Sequence, residues 1–214
     1  MYFRPPLVVA LVRRLLLGSI AVLLLAPEAL GQAAWQRTVT LIVPVERGSA
    51  PAALADSVVA LAEAQAVSLR RSPSAVPSSP PALREALAAE GLSIRSATHA
   101  FLTYRFVLRT GTLHRRPLHA HFIYRPPQPQ RRDRSVLYVD LTEDPVPNAL
   151  LVARGLRSAL NEATYHPFRE QISFSALHRA GTVVKVGTRV IRDSAEAAAV
   201  KQRILATLRS LAYR

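Results

Sequence analysis

The chain has 214 residues, no cysteine, and 28 Lys and Arg against 14 Asp and Glu, a formal net charge of +14. Without cysteine there are no disulfides, no thiol catalysis and no lipid-modified cysteine, so the folded part must be held by its apolar core alone. All the basic residues except Lys185 and Lys201 are Arg, the side chain best suited to bidentate pairing with carboxylate or phosphate.

Residues 1–33 read as a secretory signal peptide. Arg4, Arg13 and Arg14 precede an apolar run over 15–26, Pro27 and Glu28 break it, and small residues follow at Ala29, Gly31, Ala33 and Ala34. Cleavage after Gly31 or Ala33 would leave a single exported domain over 34–214. The alternative is an uncleaved membrane anchor, which would place Arg13 and Arg14 in or against the bilayer at considerable cost. Removing residues 1–33 takes away three Arg and one Glu, so the remainder stays strongly basic. The charge is spread along the chain and not gathered in one tail, which argues against a dedicated nucleic-acid arm.

A strand is expected over 37–45, with Val39, Leu41 and Val43 on one face. Gly48, Ser49 and Pro51 turn the chain into a helix over 52–67, carrying Leu54, Val58 and Leu61 at helical spacing. Residues 68–80 are rich in Ser and Pro and read as an exposed loop. A short helix follows over 82–89, closed by Gly91.

The centre of the chain is the stretch 97–125, which alternates with period two and predicts a long β-hairpin. Ala100, Leu102, Tyr104, Phe106 and Leu108 share one face of its first strand. Leu118, Ala120, Phe122 and Tyr124 share one face of its second. A symmetric hairpin closing near Leu113 pairs Leu108 with Leu118, Phe106 with Ala120, Tyr104 with Phe122 and Leu102 with Tyr124. The opposite face then sets Arg105 across from His121 and Val107 across from His119. Residues 125–134 form a second proline-rich basic loop.

A third strand is expected over 135–141, with Leu137, Val139 and Leu141 toward the core. A helix over 148–163 follows, started by Asn148. A second hairpin is expected from strands over 172–177 and 183–191, turning at Ala180 and Gly181. Its parity groups Ile172, Phe174 and Ala176 with Val184, Val186 and Val190. Asp193 and Glu196 form a capping-box-like pair at the head of a last helix striped by Ala197, Val200, Ile204, Leu208 and Leu211. This order predicts an α+β fold: a mainly antiparallel sheet of two hairpins and further strands, with helices on one face. The C-terminal helix–hairpin–helix, with Gly181, Val183 and Gly187, resembles the rhythm of small exported BON domains. Lys185 stands where that pattern wants an apolar residue and no final strand follows, so no function is carried over.

Two sets of residues could carry function. His99, Arg105, Arg109, His119, His121 and Arg125 fall on the uncovered side of the hairpin, and Arg105, Arg109, His119, His121 and Arg125 are the candidate contacts for an anionic partner. Such a partner would be an anionic envelope component, an acidic protein surface or a membrane surface touched peripherally. Alternatively, His119 and His121 flank one residue on a strand and point the same way, as metal ligands do, with Asp140 as third ligand. The neighbouring Arg side chains oppose a divalent cation. Asp140, Glu143 and Asp144 cluster at a strand end, where acid/base work or helix capping are the two readings. No serine elbow, phosphate loop, HExxH or EF-hand occurs. The reading is therefore a non-catalytic, cofactor-free exported accessory or binding domain of the cell envelope, or alternatively a metal protein or metal-dependent enzyme.

Overall fold

A computed structural model of the chain describes residues 35–128, 130–142 and 166–212. The signal or anchor segment expected over 1–33, the helix expected over 148–163, and Glu143 and Asp144 lie outside them. The elements are β1 (Trp35–Pro44), α1 (Ala50–Gln65), α2 (Pro80–Ala88), a 3-10 turn (Ile94–Ser96), β2 (His99–Arg109), β3 (Thr112–Tyr124), β4 (Arg134–Asp140), α3 (Phe168–Gln171), α4 (Phe174–Leu177), β5 (Thr182–Val186), β6 (Arg189–Val190) and α5 (Ser194–Ala212). The six strands form one sheet in the order β4-β3-β2-β1-β5-β6, every pair antiparallel. With the helices on one side, this is the expected α+β architecture.

Local chemistry explains the helix ends. Ser49 and Ser79 cap α1 and α2, their hydroxyls accepting from the amides of Ala52 and Ala82 at 3.4 Å, with prolines in both first turns. Gly91 follows α2 at φ +69°, in the left-handed region that ends many helices. Asp193 caps α5, its carboxylate 2.7 Å from the Glu196 amide. Glu196 does not close a capping box: its side chain turns to Arg189.

One face of the sheet is apolar because alternate residues along each strand point the same way. Val39, Leu41 and Val43 of β1, Ala100, Leu102, Tyr104 and Phe106 of β2, and Ala120 and Phe122 of β3 form one buried cluster with Leu54 and Val58 of α1, Leu83 and Leu87 of α2, and Ala197 and Leu208 of α5. Phe106 and Phe122 are completely buried.

The hairpin is present but in a different register. It turns at Thr110 and Gly111, both with positive φ (+45° and +77°), the two-residue reversal that matches strand twist. Leu108 therefore faces Leu113, Phe106 faces Arg115 and Tyr104 faces Pro117, while Leu102 faces Ala120. The register shifts between Thr103 and Tyr104, so Leu118 is an extra residue on β3 and the inward parity moves from Pro117 to Ala120. Arg105 consequently faces Arg116, not His121, and His119 faces Thr103, not Val107.

The second expected hairpin is corrected. Residues 172–177 are not a strand: Ile172 ends α3, and Ser173 caps α4 by accepting from the Ala176 amide at 3.2 Å. The Tyr104 hydroxyl donates to the Ile172 carbonyl at 2.7 Å, taking an acceptor that a ladder would use. Both strands of the real hairpin, β5 and β6, lie within the 183–191 stretch read as one strand, apart from Thr182, and the chain reverses at Gly187 instead of Gly181. Against β1 the register slips between Thr40 and Leu41, so Val183 and Val186 face inward and Lys185 outward. The 68–80 segment is also tied down at one end. Leu69 is buried, Leu69 and Ser78 bridge, and Arg70 bridges to Tyr138 on the free edge of β4. Arg71 adds a bond to the Ser135 carbonyl and a two-pronged pair with Glu90.

Candidate functional site

The side of the sheet away from the described helices carries its polar groups in rows, because antiparallel pairing sets residues of equal parity side by side. The middle row runs across five strands: Lys185, Thr40, Thr103, His119 and Asp140. The Thr40 and Thr103 hydroxyls are 2.9 Å apart, and Thr103 is 5 % exposed although it faces away from the core. The next row is Thr182, Ile42, Phe101, His121 and Tyr138. On the other side lie Thr38, Arg105 and Arg116. The Leu118 bulge makes this arrangement: without it, Arg116 and His119 would sit on opposite faces.

The two histidines are half-buried and held toward the neutral form. Burial lowers the His119 pKa, with Asp140 pulling it up and Lys185 pushing it down. Burial, then the neighbouring His119, lowers that of His121. The His121 Nε2 lies 2.9 Å from the Ser135 hydroxyl. Its ring sits 6.2 Å from Phe101 and 6.1 Å, edge-on, from Tyr138. His99 is shifted down as well, by burial and then by Arg125.

The five expected anion contacts fall into three groups. Arg105 and Arg109 lie toward the hairpin tip, where Arg116 joins them. His119 and His121 occupy the centre as neutral hydrogen-bonding groups. Arg125 stands at the opposite end of β3 and is committed to Asp133 through Nε at 3.0 Å and a terminal nitrogen at 2.7 Å. This pairing holds the Asp133 carboxyl below its usual range. The Arg105 Nε is buried without a hydrogen-bond partner among the described residues, and its guanidinium faces a second cation across the strand pair.

The metal set is not assembled. Among the described residues no group of three or more His, Cys, Asp or Glu side chains could hold a metal ion. Asp140 faces His119 across the β3–β4 pair, but one of its oxygens accepts from the Thr142 amide and hydroxyl, each at 2.8 Å.

Sequence reasoning missed Thr40, Arg116 and Lys185 as members of this site, while Thr103 shares the outward parity of Arg105 and Arg109 and was placed on this face by the alternation alone. Thr38 and Thr40 were visible as the polar parity of β1. The outward parity of Lys185 follows from its place between Val184 and Val186, whereas that of Arg116 was not visible, since the Leu118 bulge sets it. In comparisons with known proteins, no family model and no curated protein matches this chain.

Proposed function

We propose that this is an exported, non-catalytic accessory or binding domain of the cell envelope that takes an anionic partner on the polar face of its sheet. The observation that carries the reading is the opposed pair Arg105 and Arg116, with the Arg105 Nε buried and without a hydrogen-bond partner among the described residues. Like charges directly across a strand pair are destabilising, and an anion bridging them removes that penalty while satisfying the donors. Arg105, Arg116 and Arg109 make the ionic contact, and His119 and His121 supply neutral hydrogen bonds beside it. Export rests on the charged, apolar and small-residue pattern of residues 1–33.

The test is binding to vesicles of anionic phosphatidylglycerol, with neutral phosphatidylcholine as control and polyglutamate as a soluble polyanion. The domain should bind at least one of the anionic probes, more weakly as salt rises through the range where the screening length falls below about 10 Å. Arg105→Gln with Arg116→Gln should weaken binding and flatten the salt dependence, leaving the melting temperature within a few degrees of the parent. Salt-insensitive binding, or binding unaltered by the double substitution, overturns the proposal.

A further inference from the structure

A second site lies on the opposite side of the sheet, where α5 crosses the outer end of β1. A cleft of about 300 Å³ opens there, the lower end of the size range of small-ligand pockets. Its floor and walls are apolar: Phe106 and Val39 beneath, Val186 and Ile191 at one side, Ile204 on the helix, and Trp35 at the lip. Three arginines, Arg37, Arg189 and Arg203, line the same cleft. Arg189 is paired with Glu196. Arg37 and Arg203 have no acidic partner among the described residues. Arg37 is on the inward parity of β1, in register with Phe106, so a cation occupies a position where the rest of that strand is apolar.

An apolar slot with two uncompensated guanidinium groups is complementary to one kind of small molecule. We propose that the cleft binds a single-chain amphiphilic anion, an alkyl tail ending in a carboxylate or phosphate. The tail lies between Ile204 and the β1–β5 floor, and the head is held by Arg37 and Arg203. Planar, delocalised guanidinium groups suit both head chemistries. The tail supplies affinity through the area it removes from water. This site is separate from the polar face, and neither proposal depends on the other.

Trp35 is the single tryptophan of the chain, so its fluorescence reports on the lip of the cleft. The full chain is titrated with decanoate, decyl phosphate, decanol and acetate, each below its aggregation concentration. At least one of the two long-chain anions should give a saturable shift of Trp35 emission. Decanoate alone points to a fatty acid, decyl phosphate alone to a phosphate-headed lipid, and both to recognition of charge and tail. Decanol should require roughly tenfold more, and acetate should give no shift, since charge-assisted hydrogen bonds and tail burial are both needed. Arg37→Gln and Arg203→Gln should each weaken anion binding roughly tenfold. Arg95→Gln, on an exposed residue near Asp56, should leave it unaltered. Absence of a saturable shift with both long-chain anions overturns the proposal. So does equal binding of decanol, or a shift that survives Arg37→Gln with Arg203→Gln.

Discussion

Four side chains of the central hairpin separate packing from surface chemistry. Phe106 and Phe122 are wholly buried, and Phe174 meets Phe106 edge-on at 5.3 Å, a favoured aromatic geometry. Phe106→Ala and Phe122→Ala should each lower stability by about 3–5 kcal/mol. Arg105→Gln should stay within about 0.5 kcal/mol, because the substitution also relieves repulsion from Arg116. His121→Ala falls between them at about 1 kcal/mol, since it strands the Ser135 hydroxyl in a half-buried position. Urea denaturation midpoints at constant slope check all four. The polar face is thus partly structural, and a binding defect in a His121 variant should be interpreted only beside its stability.

At the scale of elements, Gly181 packs the start of β5 closely against β1. A Cβ built on Gly181 would lie 2.9 Å from a Val43 methyl and 3.1 Å from the Leu177 carbonyl, closer than real side chains sit. Lys201 of α5 donates to the carbonyls of His178 and Gly181 at 3.1 and 2.9 Å, so helix, loop and strand are clamped at this point. Gly181→Ala should cost about 1–3 kcal/mol by overpacking. Its effect should be local: hydrogen exchange should accelerate at the Val183 and Lys185 amides before it does on β3 and β4. Uniform acceleration across the sheet would show that β5 and the main hairpin open as one unit.

For the whole molecule, the buried histidines set a pH dependence. His99, His119 and His121 all have folded-state pKa values below the ordinary value of 6.5. The unfolded chain therefore binds more protons than the folded one in the window just below that value, and stability rises with pH there. The unfolding free energy should fall as the pH drops from 7 toward 5 and should be flat, for these groups, above 7. His119→Gln with His121→Gln should reduce that slope. Glu90 and Asp133, both lowered mainly by their Arg partners, act in the same direction but only in more acid solution, where carboxylates protonate. An unchanged slope between pH 7 and 5 in the double variant would place the proton uptake elsewhere.

What the order of residues determined by itself is local. Period-two alternation marked β1, β2 and β4, separated Phe106 and Phe122 from Arg105 and His121, and predicted an antiparallel α+β sheet. Ser49, Gly91 and Asp193 marked helix ends, because capping is chemistry between near neighbours. Tertiary structure decided the rest. The Leu118 bulge, the slip of β5 against β1 and the helical state of residues 174–177 depend on partners far along the chain, and one extra residue reverses every face beyond it. The Leu118 bulge also places Arg116 on the polar face of the sheet. The pairing of Arg125 with Asp133, the Arg37–Arg203 cleft under α5 and the half-buried, neutral character of His119 and His121 arise only when strands distant in sequence lie side by side. Parity is a property of one strand, whereas charge balance and burial belong to the assembled sheet.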